Sequence, residues 1–398
     1  MIAEEMPVRA TKRGEQRTAL ERDCDVLICG ASFAGLAAAR GLAGSGARVL
    51  LVDRYAIGER QTSACAMPTA WLRALGLMDS LRQSFDELVV HTPFRTSRWS
   101  LPWSFSTFDY RELCALMWER ACSSELEFET ATVTGRAGLT VQTDRGELRA
   151  PLIVDALGWR RVLSNATAIQ PPAAPLSRGL EVHTQGGGSE LELWFDAGYI
   201  RAGYSWCFPA GDEVRVGVGS FWPAHHVKEP TVRLAADLGF PAEGYQGNWI
   251  PHELRRADED GVFFAGDSAG HCLPLTAEGI RTALYFGLAC GRELRAVLDG
   301  HSSRAEALAR YGAFSDRHAR KYRWMLGSQR ILGRMTPSRS VTAWVRLLGN
   351  RRVSEWIFEH YLAIAPPWFV GAGPSGNSSS ARASRRMPSS IAGSARLA

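Results

Sequence analysis

The chain has 398 residues, 45% of them hydrophobic and 22% charged, with a net charge of +5. This is the composition of a globular protein long enough for one large or two ordinary domains. No apolar run approaches the ~20 residues of a membrane span and the N-terminus lacks a secretory apolar core, so cytoplasmic residence is the expectation. The eight cysteines are scattered without a CxxC pair, which argues for free thiols and against a disulfide or zinc framework; no metal is expected.

Residues 1–23 are polar and lack a periodic apolar face, as in a loose extension. The run Val26-Leu27-Ile28-Cys29 then enters a glycine turn, Gly30-Ala31-Ser32-Phe33-Ala34-Gly35. Gly30 can turn without a Cβ, and Gly35 lets the following helix, expected over Leu36 to Ala43, lie close to the strand. Ser32 stands where a second glycine is usual and is small enough to be tolerated. The helix N-terminus faces a pyrophosphate, and the next strand, Arg48 to Val52, ends in Asp53, placed to accept hydrogen bonds from a ribose.

Helical spacing is expected over Phe108 to Ser123, and short strands over Glu127 to Val154 around turns at Arg136-Ala137-Gly138 and Asp144-Arg145-Gly146, ending in a buried parallel strand, Leu152 to Val154. From about Gly179 to Trp249 apolar and polar residues alternate, the pattern of an antiparallel sheet in a second domain. A buried strand, Gly261 to Ala265, leads into the acidic turn Gly266-Asp267, a proline loop and a helix from Ala277 to about Val297. Asp267 suits a ribityl or ribose hydroxyl, and the helix start near Thr276 suits a phosphate or an electron-rich ring edge. A helical region follows. From His301 to Arg352 there are twelve Lys or Arg against Glu306 and Asp316, a solvated face or one drawn to an anionic lipid or a diphosphate. No nucleic-acid module accompanies it. The aromatic, basic stretch Trp344 to Trp368 suits either adsorption at a membrane surface or closure of a cavity. Beyond Gly371 a Gly/Ser/Ala/Arg tail is expected to be disordered.

Gly30-x-Ser32-x-x-Gly35 with Asp53, and the later Gly266-Asp267 with Pro274 and Glu278-Gly279, resemble the flavin-binding segments of the geranylgeranyl reductase family, within the aromatic-hydroxylase-like flavoproteins. Tyr204-Ser205-Trp206-Cys207-Phe208-Pro209 is similar to that family's Tyr-x-Trp-x-Phe-Pro signature, with Arg201 in place of the usual preceding proline. Asp109-Tyr110-Arg111-Glu112-Leu113 resembles its motif with an arginine near the pyrophosphate, and Cys65 falls where the family often carries a cysteine beside the flavin ring. Val154-Asp155-Ala156-Leu157-Gly158 aligns with the strand end of related NADPH-dependent hydroxylases, with Leu157 in place of the acid.

The resemblance implies an α/β protein whose Rossmann-like FAD domain is discontinuous, over 24–165 and 251–300, with part of 66–108 contributing to the substrate cavity. An antiparallel substrate domain spans 166–250, a helical region 301–370 and the tail 371–398. It implies an FAD-dependent oxidoreductase that saturates C=C bonds of an isoprenoid-like substrate, reduced by NAD(P)H or a separate electron-donor protein, and possible peripheral contact with the inner membrane face. FAD contacts are expected from Gly30, Ser32, Phe33, Ala34, Gly35, Asp53, Arg54, Arg111, Gly266, Asp267, Pro274, Glu278, Gly279 and Ile280. Substrate contacts are expected from Tyr204, Trp206, Phe208 and Pro209, and catalytic roles from Cys65, Tyr204, Trp206 and His271. A monooxygenase and a halogenase are the rival flavoenzymes, although a halogenase's Trp-x-Trp-x-Ile-Pro motif is not found. A membrane-surface flavoprotein with a binding or sensing role is the rival of another class.

Overall fold

The computed structural model describes residues 18–371 apart from 62, 123–124, 167–169, 172 and 336–338. The expectations for residues 1–17 and for the tail beyond Gly371 lie outside the described residues.

The strands Val26–Cys29, Leu152–Asp155 and Val262–Phe264 are buried along their whole length. Such continuous apolar runs are stable only with both faces covered. They sit at the centre of a six-stranded sheet in the order Asp258–Glu259, Val262–Phe264, Leu152–Asp155, Val26–Cys29, Val49–Asp53, Leu126–Thr130, parallel except at the Asp258–Glu259 edge. The first helix is Phe33–Arg40, three residues earlier than the pattern predicts, because the turn tightens at once after Gly30. It packs on the helix Ile280–Leu298, where a Cβ on Gly287 or Gly291 would overlap the carbonyls of Ala34 or Ala38. That second helix also starts later than Ala277, since Leu275 and Ala277 hold positive φ angles of 70° and 51° that no helix accommodates.

A second sheet of eight strands runs Gln246–Pro251, Leu176–Gln185, Glu213–Ser220, Gly203–Ala210, Leu191–Trp194, Leu81–Thr92, Arg95–Phe108, Ala66–Pro68. It is antiparallel except where Leu191–Trp194 lies parallel to Leu81–Thr92, which carries the 81–108 hairpin into the same sheet. One face is covered by a helix that alternation did not reveal, Lys228–Asp237, whose Leu234 and Ala235 bury against Val182, Val216 and Val218. Its apolar stripe is too short to stand out in the sequence. The opposite face looks toward the six-stranded sheet.

Residues just before 24 pack onto the fold: Leu20 is buried, and Arg22–Asp23 pairs with Gly146–Arg149 at the edge of a small four-stranded sheet. The C-terminal helices are Arg304–Asp316, Ala319–Arg334, Arg339–Leu348 and Arg351–Leu362, the first held by a capping box between Ser303 and Glu306. Among the described residues no helix is long and apolar enough to cross a membrane.

Candidate active site

A cavity of about 1960 Å³ is lined by residues of both large sheets and reaches beneath the C-terminal helices. One end is built by the first glycine turn. Gly30 holds φ +111°, and a Cβ there would overlap the Ala156 carbonyl, while one on Gly35 would overlap the Gly30 carbonyl. The two glycines therefore work inside the turn, and it is Ser32, Phe33 and Ala34 that reach the cavity wall. Asp53 ties the turn together: its Oδ2 accepts from the Ala31 amide at 2.8 Å and its Oδ1 from the Tyr55 amide at 3.0 Å. Burial pushes its pKa up against those amides. Ser32 caps no amide of the helix behind it, so the first amides of Phe33–Arg40 keep their capacity for an anion. Arg54 stands on the same wall, 4.8 Å above the Tyr55 ring.

The second turn, Gly266–Ala269, brings Gly266 and Asp267 to this wall. The Asp267 carboxylate is walled by protein yet opens onto the cavity, and it accepts no hydrogen bond among the described residues. Burial pushes its pKa up to about 6, against a weaker opposing pull from Arg255. An orphaned carboxylate of this kind fits a ribityl or ribose hydroxyl. The loop that follows is strained at Leu275 and Ala277, and Cys65, also on the cavity, holds φ 49°. Such conformations cost about 1–3 kcal/mol each and persist only where the surroundings over-determine them. Here the Tyr204 hydroxyl donates to the Thr276 carbonyl at 2.5 Å, and the Leu275 amide donates to Gln329 at 2.7 Å.

Glu278, Gly279 and Ile280 line the cavity, but the Glu278 carboxylate is already engaged. Arg281 grips it with two bonds of 2.7 Å, and the Tyr361 hydroxyl donates to it as well. Fully buried, Arg281 also donates to the carbonyls of Leu362 and Ala365, both at 3.0 Å. Burial works against its charge, but Glu278 outweighs burial and raises its pKa. Glu278 thus anchors the last helix rather than offering a free carboxylate to a cofactor. Pro274 is buried behind the loop, off the cavity wall. Arg111 is exposed at the start of the helix Tyr110–Ala121, its Cα against Gly58, and it too lies off the wall.

The signature strand Gly203–Ala210 sends alternate side chains to opposite faces. Tyr204, Trp206 and Phe208 face the cavity, whereas Pro209 is buried against Gly188, off the cavity wall. Trp206 lies across its own sheet: a Cβ on Gly217 would overlap the indole, and the indole Nε1 donates to Glu181, two strands away, at 3.0 Å. Glu181 also bonds His183 at 2.9 Å. Beyond this wall the cavity is apolar and aromatic, with Trp99, Leu101, Trp103, Phe105, Phe195 and Phe358.

Cys65 is fully buried beside the cavity, where burial pushes its thiol well up, with Arg215 opposing. Burial also raises the Tyr204 phenol. Both therefore keep their protons near neutrality. His271 does not join them. It is enclosed in the core, stacked 3.7 Å from the Phe286 ring with Nε2 3.1 Å from the Ser315 hydroxyl, and burial holds it neutral. It lies off the cavity wall, because the turn after Asp267 sends its ring to the opposite side. Sequence reasoning missed Glu181, Arg281 and the role of Asp155. The Asp155 carboxylate accepts from the amides of Leu157 and Leu163 and from the Ser268 hydroxyl, at 3.0, 2.8 and 2.6 Å, knotting the two separated parts of the parallel sheet together. Two buried charges flanked by apolar residues, Asp155 and Arg281, were the signal available.

These residues fit FAD: two turns, two carboxylates and two helix N-termini converge on one wall, which Ser32, Asp53, Asp267 and the start of the Ile280–Leu298 helix would use to hold it. The fold is of the kind found in FAD-dependent oxidoreductases. No family model matches the chain. It is 23% identical to digeranylgeranylglycerophospholipid reductase 2 of Methanopyrus kandleri over 78% of this chain and 87% of that one. The identity is again 23% to digeranylgeranylglycerophospholipid reductase 3 of Methanosphaera stadtmanae, covering 75% and 84%. The fold matches a geranylgeranyl bacteriochlorophyll reductase-like protein of Thermoplasma acidophilum with TM-score 0.72 at 15% identity, over 88% of this chain and 98% of that one. It also matches a "probable FAD-dependent monooxygenase" from Pseudomonas aeruginosa, with TM-score 0.63 and 20% identity over 81% and 99%. The relatives by sequence are named reductases, and the solved structures share the fold of this chain.

Proposed function

We propose that the chain saturates isolated C=C bonds of an extended, isoprenoid-like substrate. The observation that carries this is the aromatic, apolar extension of the cavity from the FAD wall to Trp99, Trp103 and Phe358. The whole cavity, cofactor wall included, has about 1960 Å³, more than the ~300–1,000 Å³ of an ordinary small-molecule site. Bound and reduced, FAD supplies the hydride for one alkene carbon. The chain's own part is to hold the alkene against Trp206, which Glu181 fixes in place, and to keep water from the reacting end. Tyr204 and Cys65 remain neutral acids beside the cavity, and either holds a proton for the second carbon. The reductant is NAD(P)H or a separate electron carrier.

The test is anaerobic turnover. The purified yellow protein, titrated with NADH, NADPH or dithionite, is offered a polyprenyl substrate. The expected product gains a hydrogen pair per double bond. Oxygen consumption coupled to a hydroxylated product would overturn this reading and favour the monooxygenase. A Tyr204→Phe variant tests the phenol, and a Cys65→Ala variant tests the thiol.

A further inference from the structure

We propose that the helices Ala319–Arg334, Arg339–Leu348 and Arg351–Leu362 form a face that docks on an anionic lipid bilayer, with the cavity opening against the lipid. This deepens the reading of an apolar substrate by stating where such a substrate enters. Trp324, Ile331, Trp344, Leu347 and Trp356 on these helices are 72, 63, 58, 55 and 59% exposed. Exposed apolar groups are ordinary when single, but a cluster marks a contact surface. Four of the five, all but Leu347, also line the cavity, so the exposed patch is the rim of the apolar interior.

The charge around this rim is mainly basic, with Glu355 and Glu359 the acids on the last of the three helices. From Arg317 to Ser354 there are ten arginines and lysines and no aspartate or glutamate: Arg317, Arg320, Lys321, Arg323, Arg330, Arg334, Arg339, Arg346, Arg351 and Arg352. Arg330 pairs with Glu253 and Arg351 with Glu355. Arg323, Arg334, Arg346 and Arg352 are exposed and make no ion pair among the described residues. Tryptophan favours the boundary between headgroups and acyl chains, and juxtamembrane cations are attracted to anionic headgroups. The last two helices, of 10 and 12 residues, are too short to span a bilayer and suit its surface. A protein partner would need complementary acids but would not explain why the patch runs into an apolar cavity.

The full chain, loaded with FAD, is co-sedimented with phosphatidylcholine vesicles and with vesicles that also contain phosphatidylglycerol. Binding is expected only to the anionic vesicles, weakened by high salt. Trp324→Ser with Trp344→Ser, and separately Arg323→Glu with Arg346→Glu, should each lower it at least about tenfold. Leu139→Ser, exposed on the remote small sheet, should not. The charge-reversed pair keeps the test alive if loss of tryptophans disturbs folding, and the flavin spectrum reports folding in each. No vesicle binding, binding undiminished in both variants, or a dimer that shields the tryptophans would overturn the proposal. Alkene reduction in detergent without vesicle binding removes only the docking; vesicle binding without reduction removes only the reductase reading.

Discussion

Replacing Glu278 by glutamine keeps the shape of the side chain and removes the charge that Arg281 grips. Arg281 has no exposed surface, and besides the carboxylate its partners among the described residues are the carbonyls of Tyr361, Leu362 and Ala365 and the Tyr361 ring, 4.7 Å away. Breaking a buried pair from one side costs about 3–5 kcal/mol, because the remaining charge is left uncompensated. Against a total stability of about 5–15 kcal/mol this is a large share. Arg281 reaches the end of the Arg351–Leu362 helix, and the Trp71 indole donates to the same Ala365 carbonyl at 3.0 Å, so the loss should fall first on the C-terminal helices. Urea unfolding should show the drop, and limited proteolysis should cut 339–371 before the parallel sheet. Glu278→Leu combined with Arg281→Met should be less destabilised than Glu278→Gln alone, since neither charge is then stranded. If the single change costs under about 1 kcal/mol, or the double change is worse than the single, the pair does not anchor the helix as argued.

Asp267 has a folded pKa raised from 3.8 to about 6 by burial, so before FAD binds its contribution to stability is full below 3.8 and lost as pH rises through about 6. Flavin hydroxyls favour the carboxylate, so FAD binding should release protons near pH 6 and not near about pH 8, and affinity should fall on acidification. Calorimetry in buffers of different ionisation enthalpy measures this; equal release at both pH values, or release that survives Asp267→Asn, contradicts it. Gly217→Ala should force the Trp206 indole off its bed and cost about 1–3 kcal/mol with slower alkene reduction, and unchanged unfolding and turnover would refute that placement. Of the eight cysteines only Cys122 is exposed, so one maleimide per native chain is expected; mass spectrometry that finds Cys65 labelled would contradict its burial.

What the sequence determined was local. A glycine turn after a buried strand, with an acid one strand later, specifies its own backbone, so the Gly30 to Gly35 and Gly266-Asp267 segments were legible as two turns that meet on one cavity wall. The two-residue period of a strand likewise put Tyr204, Trp206 and Phe208 on one face, and the same period excludes Pro209 from it. What the tertiary structure decided depends on partners far away in the chain. Glu278 looked like a cofactor residue because it follows the Gly266-Asp267 turn on the same segment, yet Tyr361, 83 positions on, and Arg281 take up its carboxylate. His271 follows the acidic turn in sequence but is turned into the core, where Phe286 stacks on it. Trp206 is held by Glu181 across two strands, over a glycine that no local pattern singles out. Turn chemistry is written in adjacent residues, whereas the partner of a buried charge or indole is chosen by packing, and packing exists only once distant segments have met.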